Sequence, residues 1–250
     1  MLYLVGLGLN CDLTVRGIEI IKECHIYLES YTSCLSIPLS DLIKMVGKEI
    51  TVLNREAVEE TQDFLDEAAV SDVALLVLGD PLVATTHAEL VIEAQKRTIK
   101  TEIIHNASIY SAIAETGLQI YKFGKTVTIP YPEKGFRPTS FYDTILKNRE
   151  MGAHTLVLLD IQEDQNRYMN PREAMEILDE VGYRGTVVCA SRLGLMDQSI
   201  VYGQLRNLLE IEDSYWGPPP HCLVITAQLH FKEEEFLQMF YWKGEGENDE

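Results

Sequence analysis

Apolar runs and helical periodicity alternate along the first half of the chain. Val73 to Leu78 is unbroken and apolar, the pattern of a strand covered on both faces of a parallel sheet. Gly79-Asp80-Pro81 ends it. Glycine tolerates unusual dihedrals, Asp80 can bond back to nearby backbone N–H groups, and Pro81 cannot continue the ladder. From Thr85 the period becomes helical, with Leu90, Val91 and Ala94 on one face and Glu89, Glu93 and Lys96 on another. A strand that turns through a tight loop into a helix puts that loop at the carboxyl edge of a sheet, where open α/β proteins bind small ligands. An ordinary βα turn capped by Asp80 fits the same residues.

The neighbouring segments follow the same alternation. Residues 2–8 predict a strand running into glycines, Asp12 to Thr14 a helix cap, and Ile18 and Ile21 the helix itself. A second strand is predicted over 25–28, ending at Glu29. This order imitates a dinucleotide-binding opening, but Cys11 stands at the third glycine position, where a side chain crowds helix–strand packing. Further strands are predicted over 49–53 and 99–104, with a helix from Glu56 to about Ala68 between them. The last of these strands ends in His105-Asn-Ala-Ser108, so a second strand-to-helix edge carries the small polar residues Asn106 and Ser108.

Repeated βα units argue for a parallel sheet. After Tyr121 the spacing changes. Strands predicted near 126–130, 156–159, 186–190, 199–202 and 222–226 are separated less regularly, as in a mixed sheet, and Asn170-Pro171 starts a helix. The fold class is therefore α/β with two domains. An N-terminal parallel-sheet domain is expected over 1–122 and a C-terminal mixed-sheet domain over 123–250, with 244–250 a frayed acidic tail.

Composition narrows the function classes. With 46% hydrophobic and 24% charged residues in 250, the chain is an ordinary folded one. Its formal charge of −18 disfavours a nucleic-acid surface, which needs clustered Lys and Arg. No apolar run approaches the roughly 20 residues of a membrane span, and Met1-Leu-Tyr-Leu-Val-Gly6 reads as a strand rather than a signal peptide. A cytoplasmic location without membrane contact is expected. Cys11, Cys24, Cys34, Cys189 and Cys222 are scattered, so neither a disulfide framework nor a zinc site is suggested. G-x-S-x-G and P-loop motifs are missing, and the histidines show no metal-binding spacing, so no metal is expected. There remain loop-edge residues from strand ends in both halves: Leu9, Asp80 to Val83, Ser108-Ile109, Leu159, Leu193 and His221. A mostly apolar cleft between two domains, with a few polar anchors, suits a small amphipathic cofactor.

Several stretches together carry a family resemblance. Gly6-Leu-Gly-Leu9, Tyr31-Thr-Ser33, Gly79-Asp-Pro-Leu-Val-Ala-Thr-Thr-His87, His105-Asn-Ala-Ser-Ile-Tyr-Ser111, Leu159-Asp-Ile161 and Pro219-Pro-His221 resemble the diphthine synthases. These belong to the tetrapyrrole-methylase-like group of S-adenosylmethionine methyltransferases. The match is collinear over nearly the whole chain, and the uninterrupted Tyr131-Pro-Glu133 is more similar to the archaeal than to the eukaryotic form. The segment between Tyr168 and Cys189 is shorter than in the family, and Arg192-Leu-Gly194 follows Ser191 where the family has a small residue before Arg.

The resemblance implies S-adenosylmethionine folded into the interdomain cleft, with S-adenosylhomocysteine as product, and a homodimer. It also implies elongation factor 2 as partner and acceptor. The methyl groups would go to the amine of its aminocarboxypropyl-modified histidine, in diphthamide biosynthesis. By position, the cofactor-binding residues are Leu9, Asp80, Val83, Ser108, Ile109, Leu159, Leu193 and His221. This cofactor has no pyrophosphate, so the missing third glycine is immaterial. Methyl transfer from a sulfonium needs in-line approach more than acid–base groups, so no dedicated catalytic base is expected. Two other functions fit parts of the pattern: methylation of a cobalamin or sirohaem precursor, and a non-catalytic nucleotide-binding regulator.

Overall fold

The computed structural model describes residues 1–133, 135 and 137–244, so the expected acidic tail beyond Gly244 lies outside the described residues. The chain separates into two compact units, Met1–Ala112 and the residues from Ile113 onward, where the sequence placed the divide after residue 122.

The first unit runs β1 (Leu2–Gly6), α1 (Val15–Ile21), β2 (His25–Glu29), α2 (Leu39–Val46), β3 (Thr51–Leu53), α3 (Asp63–Ala68), β4 (Val73–Val77), α4 (Ala88–Lys96), β5 (Thr101–Ile104) and α5 (Ile109–Ala112). Its sheet has the order β3-β2-β4-β1-β5 and every pairing is parallel. Alternate residues of β1 and β4 feed two cores. Leu2, Leu4, Leu75 and Val77 pack with Phe64, Leu65, Leu90 and Ala94. Val5, Ala74 and Leu76 pack with Ile20, Ile21 and Leu42 on the other face. Helices on both faces explain why β4 reads as continuously apolar. Thr14 caps α1 by accepting from Gly17 N at 3.0 Å. The single helix expected from Glu56 to Ala68 is interrupted at Gln62, whose φ is 54°.

The second unit runs β6 (Val127–Ile129), α6 (Ser140–Glu150), β7 (Thr155–Leu159), β8 (Ile161–Gln162), β9 (Arg167–Tyr168), α7 (Pro171–Glu180), β10 (Thr186–Ser191), β11 (Ser199–Gln204), α8 (Leu205–Leu208), β12 (His221–Ile225) and α9 (Phe231–Leu237). Its main sheet, β11-β10-β12-β7-β6, is parallel only between β6 and β7. Both the parallel and the mixed sheet are as the sequence pattern indicated. One face of this sheet packs Ile129, Val157, Val187 and Leu223 against Ile145, Met175, Leu178 and Trp216. Asn170 and Glu173 form a reciprocal capping box at the start of α7.

A buried carboxylate ties the second unit together. Glu233 accepts from Gln119 N at 2.9 Å, His230 N at 2.7 Å, Lys122 Nζ and His154 Nε2 at 3.2 Å. His154 Nδ1 accepts from Ala227 N at 3.0 Å, which leaves the ring proton on Nε2. Burial alone pushes the Glu233 carboxyl up, but the His230 and Gln119 N–H groups, Lys122 and His154 outweigh it and hold the carboxyl at about 2. Among the described residues no helix is long and apolar enough to cross a membrane.

Candidate functional site

At the carboxyl edge of the first sheet, the loops after β1, β4 and β5 close on one another. Gly8 and Gly79 exchange both backbone hydrogen bonds at 3.0 Å, each with a positive φ. A Cβ on Gly6 would lie 2.7 Å from Gly79 O and 2.8 Å from Asn106 Cβ, so the approach requires glycine there. Asn106 Nδ2 donates to Gly6 O at 2.9 Å and to Asp12 O at 2.7 Å. Its Oδ1 accepts from Ala107 N at 2.8 Å, so one amide holds the ends of β1 and β5 together.

Asp80 is the buried carboxylate of this edge. Its Oδ1 accepts from Leu82 N at 3.1 Å, and its Oδ2 accepts from Asn106 N at 3.2 Å and from His105 Nδ1 at 2.7 Å. The carboxylate is thus anchored to main chain on both oxygens, while the His105 ring that it holds is 69% exposed. Ser108 N donates to Ser111 Oγ at 3.1 Å, and that hydroxyl donates back to Ser108 O, which fixes the start of α5. Leu9, Val83 and Ile109 are half-buried apolar side chains. Because β4, β1 and β5 are sheet neighbours, Leu9, Asp80, Val83, Ser108 and Ile109 gather on one edge.

The resemblance to a dinucleotide fold ends in the side chains. Glu29, at the position of the ribose-binding acid, is fully buried. It accepts from Tyr31 N at 3.3 Å, Thr32 N at 3.2 Å, Thr32 Oγ1 and Leu78 N at 3.4 Å. Those bonds lock the end of β2 to the end of β4. His87 is also buried and donates from Nδ1 to Pro81 O at 3.1 Å. Burial pushes its pKa below the ordinary value, so it serves the loop as a neutral imidazole.

The second sheet gathers the remaining sequence-derived residues on an edge of its own. Ser191 pairs with His221 and Cys222 with Leu158, so the end of β10, the start of β12 and the end of β7 lie side by side. Leu159 and His221 stand there, and Leu193 follows in the loop after β10. That loop is built on Arg192. Its Nε and Nη2 donate to Asp197 Oδ2 at 3.0 Å and Asp197 O at 2.7 Å. Its Nη1 donates to Trp216 O at 3.1 Å and Pro218 O at 2.8 Å. Burial lowers the pKa of His221, whose Nε2 donates to Trp216 O at 3.2 Å. Its Nδ1 is buried with no hydrogen-bond partner.

The edge of the first unit also holds two residues that the sequence had not assigned a role, Asn106 and His105. Their signal was the His-Asn dipeptide at a strand end, but the partners, Asp80 and Gly6, are distant in sequence. Among the described residues no three His, Cys, Asp or Glu side chains converge as a metal-binding group.

The chain belongs to the tetrapyrrole (corrin/porphyrin) methylase family, whose sequence model matches residues 1–209. That membership gives S-adenosylmethionine-dependent methyl transfer as its activity class. Within the family its relatives include diphthine synthases and diphthine methyl ester synthases. The diphthine synthase of Methanococcus aeolicus is 42% identical over 252 residues, covering 95% of this chain and 97% of that one. The diphthine methyl ester synthase of Homo sapiens is 40% identical over 273 residues, covering 96% of this chain and 95% of its own. A crystal structure of diphthine synthase superposes with a TM-score of 0.88 at 36% identity, over 96% of this chain and 95% of that one.

Proposed function

We propose that this protein transfers methyl groups from S-adenosylmethionine to the amine of the aminocarboxypropyl-modified histidine of elongation factor 2. The observation that carries the reading is identity of about 40% to diphthine synthases over nearly the full length of both chains. The residues at the first edge fit the cofactor. Leu9, Val83 and Ile109 offer half-buried apolar surface for an adenine, and a Cβ-free approach at Gly6 and Gly8 keeps backbone groups close. Asp80 keeps acceptor capacity on Oδ1 for a cationic group. Leu159, Leu193 and His221 of the second unit are the further expected contacts, with His221 Nδ1 as acceptor. When bound, the sulfonium supplies an electrophilic methyl group. The residues' task is then to hold that methyl in line with the incoming nitrogen and to exclude water.

Trimethylation without esterification is the favoured outcome. That preference rests on the uninterrupted Tyr131-Pro-Glu133, which is more similar to the archaeal form. A homodimer in the cytoplasm completes the reading, and light scattering at micromolar concentration should give twice the 28.3 kDa chain mass. The test of function is transfer of labelled methyl from S-adenosylmethionine to elongation factor 2. Label is expected on factor carrying the aminocarboxypropyl group and none on unmodified factor. Transfer instead to a cobalamin or sirohaem precursor would place the protein elsewhere in the same family.

A further inference from the structure

Resting on the proposed function, and against the sequence-based expectation of no dedicated base, we infer that His105 is the catalytic base of the transfer and that Asp80 is its positioning residue. An alkylated amine reaches a protein at neutral pH as an ammonium, whose nitrogen has no lone pair, so each transfer requires a proton to leave first. The first unit contains a group built for that task. The Asp80 carboxylate, buried and anchored by Leu82 N and Asn106 N, takes the Nδ1 proton of His105 at 2.7 Å. That hydrogen bond fixes the tautomer and leaves the Nε2 lone pair free. Nε2 has no protein partner among the described residues, and the ring is 69% exposed on the edge that carries the cofactor residues. A base that serves a histidine on another protein has to be reachable from outside. The buried histidines of the first and second units, His87 and His154, are not.

In each round Nε2 takes one N–H proton from the ammonium. The freed lone pair forms the N–C bond as the methyl C–S bond breaks, and the electron pair of that bond stays on sulfur to leave S-adenosylhomocysteine. The His105 imidazolium, opposite the Asp80 carboxylate, then returns its proton to solvent. Three rounds remove three protons, and the trimethylammonium has no N–H left to give.

A staple between two loops would need only the Nδ1 donor, and this separates the two roles. In His105→Asn the side-chain amide can replace the Nδ1 donor to Asp80 but offers no base. The variant should bind S-adenosylmethionine in calorimetry with unchanged affinity, keep its melting temperature, and lose about 10²-fold in kcat on premodified elongation factor 2. His105→Gly should lose as much and recover part of it with added imidazole. Independently of turnover, long-range ¹H–¹⁵N spectra of the resting protein should show the Nδ1-protonated tautomer of His105. A His105→Asn kcat within threefold of wild type, or a ring carrying its proton on Nε2, overturns the assignment while leaving the proposed function standing. Wild-type protein that binds the cofactor but adds no methyl to the premodified factor would overturn both.

Discussion

The two sheet edges use buried polar groups differently. At the edge of the first sheet, Asp80 takes two main-chain N–H groups and still presents an exposed imidazole. At the edge of the second, Arg192 directs its guanidinium to Asp197, Trp216 O and Pro218 O, all within the protein. The deeper Glu233 cluster is likewise closed on itself. A polar group whose bonds are all internal fixes a shape, whereas one that holds a partner at the surface can do chemistry. Changes at Arg192 and Glu233 should therefore cost stability, and changes at the first edge should cost binding or turnover.

The largest stability effect belongs to Glu233. Glu233→Ala leaves Lys122 and His154 facing each other around an empty site, and should cost about 3–5 kcal/mol in urea unfolding. Because the folded Glu233 carboxyl sits near 2 against an ordinary 4.5, its contribution is complete above pH 4.5 and disappears as pH falls toward 2. Glu233→Gln should flatten the stability profile through that window, and an unchanged acid limb would remove the account of this cluster.

Next come the two loops. Gly6→Ala forces Gly79 O and Asn106 apart and should cost about 1–3 kcal/mol. Unlike the Glu233 variants, it should also weaken S-adenosylmethionine at least about tenfold in calorimetry, or 1.4 kcal/mol. Arg192→Lys cannot reproduce a planar fork with four partners, and a loss of about 1–3 kcal/mol is expected. If Gly6→Ala binds the cofactor normally, the first edge is not the cofactor site. The smallest effect is at Arg16, paired with Glu102 on an exposed surface, where Arg16→Ala should leave the melting temperature essentially unchanged.

Parts of this were legible in the sequence for physical reasons. A strand buried on both faces, such as β4, must be apolar throughout, and Gly79-Asp80-Pro81 cannot continue a ladder, so the central strand and its loop stood out. The assignment of the loop-edge residues to a particular cofactor came instead from the family resemblance. Helix α6 was not anticipated because its buried face, Phe141, Ile145 and Asn148, includes an asparagine. That side chain bonds Lys125 N and O and Thr155 Oγ1, partners that periodicity does not reveal. The break at Gln62 was equally hidden, since glutamine carries no signal for a positive φ. Long-range pairs such as Asp80 with His105 and Glu233 with His154 appear only when strands are placed side by side.

The central claim, methyl transfer to one amine of elongation factor 2, is tested most directly by intact-mass analysis. The factor carrying the aminocarboxypropyl histidine is incubated with this protein and S-adenosylmethionine, then measured before and after mild alkali. Three added methyl groups that survive alkali are expected. A fourth, alkali-labile methyl would contradict the archaeal-type outcome, and an unchanged mass would contradict the function itself.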